Sequence, residues 1–244
     1  MPEFVRQSQD ELEGRRLRRM PFPYFHVVYA ILWKDLISGF RSPESFMVMA
    51  VFASMNIIIY YFAFGLDAQV DAAQVSGMLW VTLAFTGILG FHRMMAVERE
   101  SGCIDGILRV PVDRSAVFFG KWLSGSLQLI VIAAMMLFLF AAAFSIPALD
   151  GKLLHVVVTG CIGYAALGTL MEAIILHARA RELLLPLLML PPAFPLLMAA
   201  TQATRELLLG HAWTGAGTWL SILAACDVIF LSLAWMMYDR LLKE

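Results

Sequence analysis

Six stretches of this sequence are long, apolar and almost free of charge, and they decide what the chain can fold into. The hydrocarbon core of a bilayer is about 30 Å thick, and a helix needs about 20 apolar residues to cross it. Because lipid offers no hydrogen bonds to a bare backbone, helices are the simplest way to span it. The sequence therefore predicts an all-α, polytopic membrane protein with six transmembrane helices. The predicted spans are Phe46–Leu66, Val75–Phe91, the apolar centre of Trp122–Leu149, Leu153–Leu176, Leu183–Thr204 and Trp219–Met237.

The composition excludes an ordinary soluble domain. Hydrophobic residues make up 60% of the 244 residues and charged residues only 15%, whereas about a quarter of a typical soluble domain is charged. The formal net charge of −1 gives no indication of nucleic-acid binding. The cysteines Cys103, Cys161 and Cys226 show the spacing of neither a disulfide framework nor a zinc site. We therefore expect a lipid-embedded protein without a metal site.

Basic residues are concentrated on alternate sides of the predicted spans. All but two of the 18 lysines and arginines fall before the first span or after the second, fourth and sixth. Basic residues in short loops mark the cytoplasmic side of a membrane. We therefore predict a multi-pass protein of the bacterial inner membrane, with its N- and C-termini in the cytoplasm.

The segment before the first span has a different character. Residues 1–22 form a basic extension, expected in the cytoplasm, without the apolar core and cleavage site of a signal peptide. Residues 23–244 are expected to form a single membrane domain. Its first segment repeats apolar residues at helical spacing, while Lys34, Asp35 and Arg41 fall elsewhere. This predicts an amphipathic helix lying in the cytoplasmic interface or, alternatively, packed on a partner protein. The repeating residues are Phe25, Val28, Leu32, Leu36 and Phe40.

The longest polar segment between spans, residues 93–121, lies on the predicted cytoplasmic side. It combines a dense charged cluster, two glycines around an aspartate, and a proline turn. We interpret it as a short lever at the membrane surface on which a cytoplasmic motor could act; a plain solvated loop is the alternative. The residues concerned are Glu98, Arg99, Glu100, Gly102, Asp105, Gly106, Pro111, Asp113 and Arg114.

The chain shows no nucleotide-binding loop of its own. Such a loop reads G-x-x-x-x-G-K-[ST]. The pairs Gly120-Lys121 and Gly151-Lys152 lack both the earlier glycine and the following Ser or Thr. If ATP drives this protein, a separate subunit hydrolyses it, and this chain is not expected to be an enzyme.

Two runs resemble a known family. The run ERESGCIDGILRVPVDRSAVFFGK and the later run HARARELLLPLLMLPPAFPLLMAATQAT are similar to the heme exporter protein B family. Its members are permease subunits of the cytochrome c maturation system, within the six-helix ABC-2 type exporters. The resemblance extends from about Ala30 to the last span, and residues 1–22 are an extra extension relative to the family.

The resemblance implies partners and a cargo. It implies a homodimer above two copies of a cytoplasmic ABC ATPase subunit, which would bind the ATP. It also implies other cytochrome c maturation membrane subunits, a heme chaperone, and heme as cargo rather than as a resident cofactor. ATP hydrolysis would drive either the transport of heme itself or the release of the heme-loaded chaperone, and the resemblance leaves both alternatives open. By position, residues 98–114 would form the ATPase-coupling segment, and Arg179, Arg181 and Glu182 a second contact.

Polar residues inside the predicted spans are costly and call for an explanation. Asp227 lies near the centre of the sixth span and should face the protein interior or a dimer interface. Glu172 lies closer to the cytoplasmic end of the fourth span and could pair with His177 or Arg179. A structural role for both is preferred to a proton relay. An intramembrane enzyme is disfavoured because the two carboxylates lie at different depths.

The fifth span contains Pro186, Pro191, Pro192 and Pro195. Interior prolines remove backbone hydrogen bonds and kink a helix. A broken or re-entrant element that flexes in transport is one interpretation, and a static kink supported by neighbouring helices is the other.

Histidines and tryptophans lie mostly near predicted span ends. An axial heme ligand needs an accessible imidazole beside an apolar plane, and His211, on the predicted periplasmic side next to Trp213, is the candidate. The alternative is an ordinary polar residue at the membrane boundary. We interpret the tryptophans, Trp80 and Trp122 among them, as interfacial anchors.

Three functions remain in view. The preferred one is the permease of an exporter serving c-type cytochrome biogenesis. An ABC-2 permease for another cargo, such as a lipid or a polysaccharide, and a non-catalytic assembly scaffold of the same pathway are the alternatives.

Overall fold

The computed structural model describes residues 24–41, 44–64, 70–100, 114–147, 150–175, 181–211 and 213–241. Within these residues the regular structure is helical throughout. The helices, in chain order, are α1 (Tyr24–Arg41), α2 (Glu44–Phe64), α3 (Ala72–Glu100), α4 (Arg114–Phe144), α5 (Gly151–Ile175), α6 (Arg181–Leu208) and α7 (Trp213–Leu241).

Among the described residues, six helices, α2 to α7, are long and apolar enough to cross a membrane. The predicted all-α, six-span architecture is thus confirmed, and each predicted run coincides with one helix. The bounds differ most at the ends of α3 and α4 that border residues 101–113: α3 continues nine residues past the predicted end at Phe91, and α4 begins at Arg114. Much of the segment 93–121 is therefore helix rather than loop.

Helix α1 forms where the apolar repeat predicts a helix, and it packs against α4. Ile31 is buried against Gly120, where a Cβ atom would lie 2.8 Å from the Cβ of Ile31. Ser124 of α4 donates a 3.0 Å hydrogen bond to Asp35. The opposite face exposes an apolar stripe at a spacing of four residues: Phe25, Tyr29, Trp33 and Ile37. This exposed apolar face differs from the apolar face that the sequence repeat predicted. The predicted repeat combined residues that face the protein with residues that are exposed.

Helix α5 is the centre of the bundle, and it packs against α3, α4, α6 and α7. Its apolar stretch is 72% buried within the protein, against 17% for α2 and 22% for α7. Glycines allow this close packing, as small residues generally do between membrane helices. The buried indole of Trp80 lies against Gly160, and the ring of Phe91 lies against Gly168, in both cases where a Cβ atom would overlap the ring.

Buried hydrogen bonds from aromatic side chains connect these helices. The Trp80 indole N–H donates to Thr204 Oγ1 at 2.9 Å, which links α3 to α6. The Tyr164 hydroxyl donates to the Ala84 carbonyl at 2.8 Å, and the Trp122 indole N–H donates to the Ile162 carbonyl at 3.0 Å. The interpretation of Trp80 as an interfacial anchor is wrong, because its side chain is fully buried in the core.

Helix α6 continues from Arg181 to Leu208 through all four prolines. The interpretation as a broken or re-entrant element is therefore wrong. Pro191 and Pro195 lie on the exposed face of α6 together with Leu187, Phe194 and Met198, whereas Leu185, Met189 and Leu196 lie on the buried face.

Candidate functional site

Three features could carry function: the charged end of α3, the carboxylate of Asp227, and the turn between α6 and α7. Chain connectivity places the first at one end of the bundle and the last at the other, because successive spans alternate in direction. Asp227 lies between them, near the middle of α7.

The charged end of α3 contains part of the predicted coupling segment. Glu98, Arg99 and Glu100 form the final turn of α3, and Arg114 is the first residue of α4. At 29 residues, α3 is about 43 Å long, which exceeds a bilayer core of about 30 Å. The helix is therefore about 13 Å longer than the hydrocarbon core, and its charged end lies on the same continuous helix that carries Trp80 into the core of the bundle.

The second predicted contact begins at the same end of the bundle. Arg181 and Glu182 are the first two residues of α6, which packs against α3. The remaining predicted coupling residues lie outside the described residues: Gly102, Asp105, Gly106, Pro111, Asp113 and Arg179.

Asp227 faces the protein interior, as predicted. Its side chain is 7% exposed and lies against Gly163 of α5, which Leu196 of α6 also approaches. A Cβ atom at position 163 would overlap Asp227 Oδ1, so the carboxylate occupies the space that the glycine leaves. This oxygen has no hydrogen-bond partner among the described residues. Leaving an ionised oxygen unpaired in a dry site is unfavourable by several kcal/mol.

Glu172 does not join Asp227 in a common site. It is half-buried near the C-terminal end of α5, nine residues after Gly163, which corresponds to about 13 Å along the helix. Its predicted partners His177 and Arg179 lie outside the described residues. The two carboxylates are thus at different depths, as the sequence predicts.

The turn between α6 and α7 brings two ionisable side chains together. His211 Nδ1 lies 2.6 Å from Glu206 Oε2. The His211 side chain is 56% exposed, whereas that of Glu206 is 19% exposed. Arg205 Nη1 lies 3.7 Å from the other oxygen of the same carboxylate.

His211 was identified from the sequence, whereas Glu206 and Arg205 were missed. The two partners are five residues apart, across a turn in which Gly210 has a φ of 78°. A search for ligands at helical spacing passes over such a pair. The signal that could have found it is the Glu-x-x-x-Gly-His sequence at the end of an apolar run. Among the described residues, no group of three or more His, Cys, Asp or Glu side chains could hold a metal ion.

The fold defines a class: a multi-pass membrane protein with six spanning helices, one of which is buried at the centre of the bundle. The family follows from comparison with known proteins. The chain matches the family described as CcmB protein over residues 26–240, and it therefore belongs to that family.

The chain aligns with most of the length of its curated relatives. The heme exporter protein B of Rhodobacter capsulatus is 28% identical over 182 residues, which are 72% of this chain and 82% of the relative. That of Paracoccus denitrificans is 28% identical over 210 residues, 84% of this chain and 93% of the relative. That of Pseudomonas aeruginosa is 26% identical over 191 residues, 76% of this chain and 84% of the relative.

Proposed function

We propose that this protein is the membrane permease subunit of an ABC transporter that serves heme export in c-type cytochrome biogenesis. The observation that carries the proposal is the family match over residues 26–240, together with relatives named heme exporter protein B. The six spanning helices agree with a permease role. The work done by ATP is either transport of heme itself or release of a heme-loaded chaperone.

The proposed assembly lies in the bacterial inner membrane and has four kinds of partner. They are a cytoplasmic ABC ATPase, a second copy of this chain, other cytochrome c maturation subunits, and the heme chaperone. The concentration of lysine and arginine in alternate loops supports an orientation with both termini in the cytoplasm. The apolar side chains exposed on α2, among them Val51, Met55 and Phe62, leave a face for lipid or a second copy.

Coupling to the ATPase would run through α3. A force on its charged end acts on a single helix, because no break separates Glu100 from the core. Inside the core, Trp80 connects α3 to α5 by contact with Gly160 and to α6 through Thr204. Movement of the end that extends from the membrane is therefore passed to the central helix.

Deletion and complementation test the function. A strain lacking this gene should lose c-type cytochromes, detected by heme staining of membrane proteins after gel electrophoresis, and the full chain should restore them. Normal c-type cytochromes in the deletion strain would overturn the proposal. A defect in lipid or polysaccharide export instead would support a permease with another cargo.

Charge reversal tests the coupling segment. The double variant E98K/E100K should reduce copurification of the ATPase subunit and its stimulated ATP hydrolysis by about tenfold, because like charges at a protein contact cost several kcal/mol. The matched control is D71K/D150K, two reversals at the opposite end of the bundle, before α3 and before α5. Equal ATPase recovery with both double variants would show that the end of α3 is not the contact. Loss only in E98K/E100K would support it, whereas a scaffold without ATPase would copurify with none in either case.

A further inference from the structure

The pair formed by His211 and Glu206 has the geometry of an oriented imidazole. The separation of 2.6 Å between Nδ1 and Oε2 is that of a strong hydrogen bond. With an ionised carboxylate, which can only accept hydrogen bonds, the proton of this bond is on Nδ1. In the neutral ring this places the free lone pair on Nε2, on a side chain that is 56% exposed.

Imidazoles that ligate metals are oriented in this way. A ligating histidine almost always donates its other ring N–H to a carboxylate, a carbonyl or water, which fixes the ring and raises its basicity.

Local backbone features hold the pair in place. The amide of His211 donates to the Glu206 carbonyl at 3.1 Å, so backbone and side chain both bring His211 to Glu206. Gly210 adopts a φ of 78°, which glycine tolerates and other residues rarely adopt. At Gly215, at the start of α7, a Cβ atom would lie 3.2 Å from His211 Cβ and 3.3 Å from Glu206 Oε2. The chain therefore leaves space for the pair on the α7 side.

The surroundings suit an amphipathic ligand. Leu209, the residue after α6, is 45% exposed and places an apolar surface beside the turn. The Arg205 guanidinium, 42% exposed, lies on the opposite side of the same carboxylate. A heme has an iron that imidazole binds, an apolar ring and two carboxylate side chains, and all three types of contact are present here.

We propose that His211 Nε2 is an axial ligand of heme iron at this turn, with Glu206 orienting the imidazole and Arg205 binding a heme propionate. The proposal rests on the proposed function in heme export, and it assigns that function an acceptor or transfer site. The Nε2 lone pair forms the bond to Fe(III) and displaces a weakly bound water. The proton on Nδ1 stays in the hydrogen bond to Glu206, and no electron is transferred.

Spectroscopic titration tests the ligand. The full chain with its copurified partners, in lipid nanodiscs, is titrated with ferric hemin while the Soret band and the electron paramagnetic resonance spectrum are recorded. H211A should weaken binding by roughly 100-fold, and added imidazole should restore the wild-type spectrum. H211M should retain the fold and bind heme with a sulfur-ligated spectrum. The matched control is H155A, because His155 is another exposed histidine at the same end of the bundle.

The carboxylate has a distinct signature. E206Q should weaken binding by about tenfold and raise the reduction potential of the bound heme, because a less basic imidazole stabilises Fe(III) less. A role in packing alone would leave the potential unchanged. R205Q should weaken heme binding without changing the iron spectrum.

Three outcomes would overturn the inference. Unchanged affinity and spectrum in H211A would exclude the ligand, and equal losses in H155A and H211A would indicate nonspecific adsorption. If the site binds Zn²⁺ but does not bind hemin, it is a simple metal site. If the full chain restores c-type cytochromes but binds no heme through His211, this inference fails while the proposed function stands. Failure of complementation would instead remove the function on which the inference rests.

Discussion

The interior around α5 and the outward faces of α2 and α7 are equally apolar, yet they are built in different ways. Around α5, glycines admit aromatic rings, and indole and phenol groups form interhelical hydrogen bonds. On α2 and α7, side chains such as Val51, Phe62 and Val228 are more than half exposed on the described structure. In lipid, apolarity alone does not hold helices together, so shape and hydrogen bonding must do so. Hydropathy therefore identifies the spans but not the contacts between them.

The largest expected effect comes from filling the space at Gly160. G160A would place a methyl group inside the buried Trp80 ring, so the ring or α5 would have to shift within a packed core. We expect a loss of about 3 kcal/mol or more in the free energy of unfolding, measured by steric trapping in bicelles. The matched control is G217A in α7, where nothing lies within 4 Å of the added methyl group. It should stabilise the helix by about 0.5–1 kcal/mol. Similar losses in both variants would remove the distinction between the two regions.

A smaller effect is expected from the hydrogen bond between Trp80 and Thr204. W80F retains an aromatic ring against Gly160 but removes the indole N–H, and T204V removes the acceptor. A double-mutant cycle measured by the same unfolding assay should give a coupling energy of about 0.6–1.7 kcal/mol, the range found for hydrogen bonds between membrane helices. A coupling energy near zero would mean that ring packing alone connects α3 to α6.

The smallest effect is expected on the outward faces. F62A on α2 and V228A on α7 should each change the free energy of unfolding of the single chain by less than about 0.5 kcal/mol. The same variants should be compared at high and low protein concentration in detergent. A loss that appears only at high concentration would show which face a second copy covers, and a loss at every concentration would contradict the outward orientation.

The sequence predicts the spans well and their contacts poorly, for physical reasons. Runs of apolar residues report the solvent around a segment, and each predicted run became one helix. Trp80 was misassigned because α3 begins at Ala72, so its indole lies eight residues, or about 12 Å, into the helix. In the same way, the end of α3 was placed in a loop because charged residues stop a hydropathy run without stopping a helix.

In the candidate sites, too, the sequence predicts the environment of a residue better than its contacts. Asp227 could be predicted to face inward because a carboxylate in lipid is unfavourable. The contact between Asp227 and Gly163 could not be predicted, because the sequence does not indicate which side chain packs against a glycine in an apolar run. Glu206 was missed because its contact with His211 depends on the backbone of Gly210 rather than on helical spacing.

Asp227 and Gly163 also fix how α5 and α7 can move. The neighbouring residues on the same face of α7 are Leu223 and Phe230, both buried. A slide of one helical turn, about 5.4 Å, would bring one of these larger side chains to the place where only a glycine leaves room. The packing of Asp227 against Gly163 therefore holds the two helices in a single register. We therefore expect α5 and α7 to move together during a transport cycle, and any relative motion to occur between this pair and the neighbouring helices.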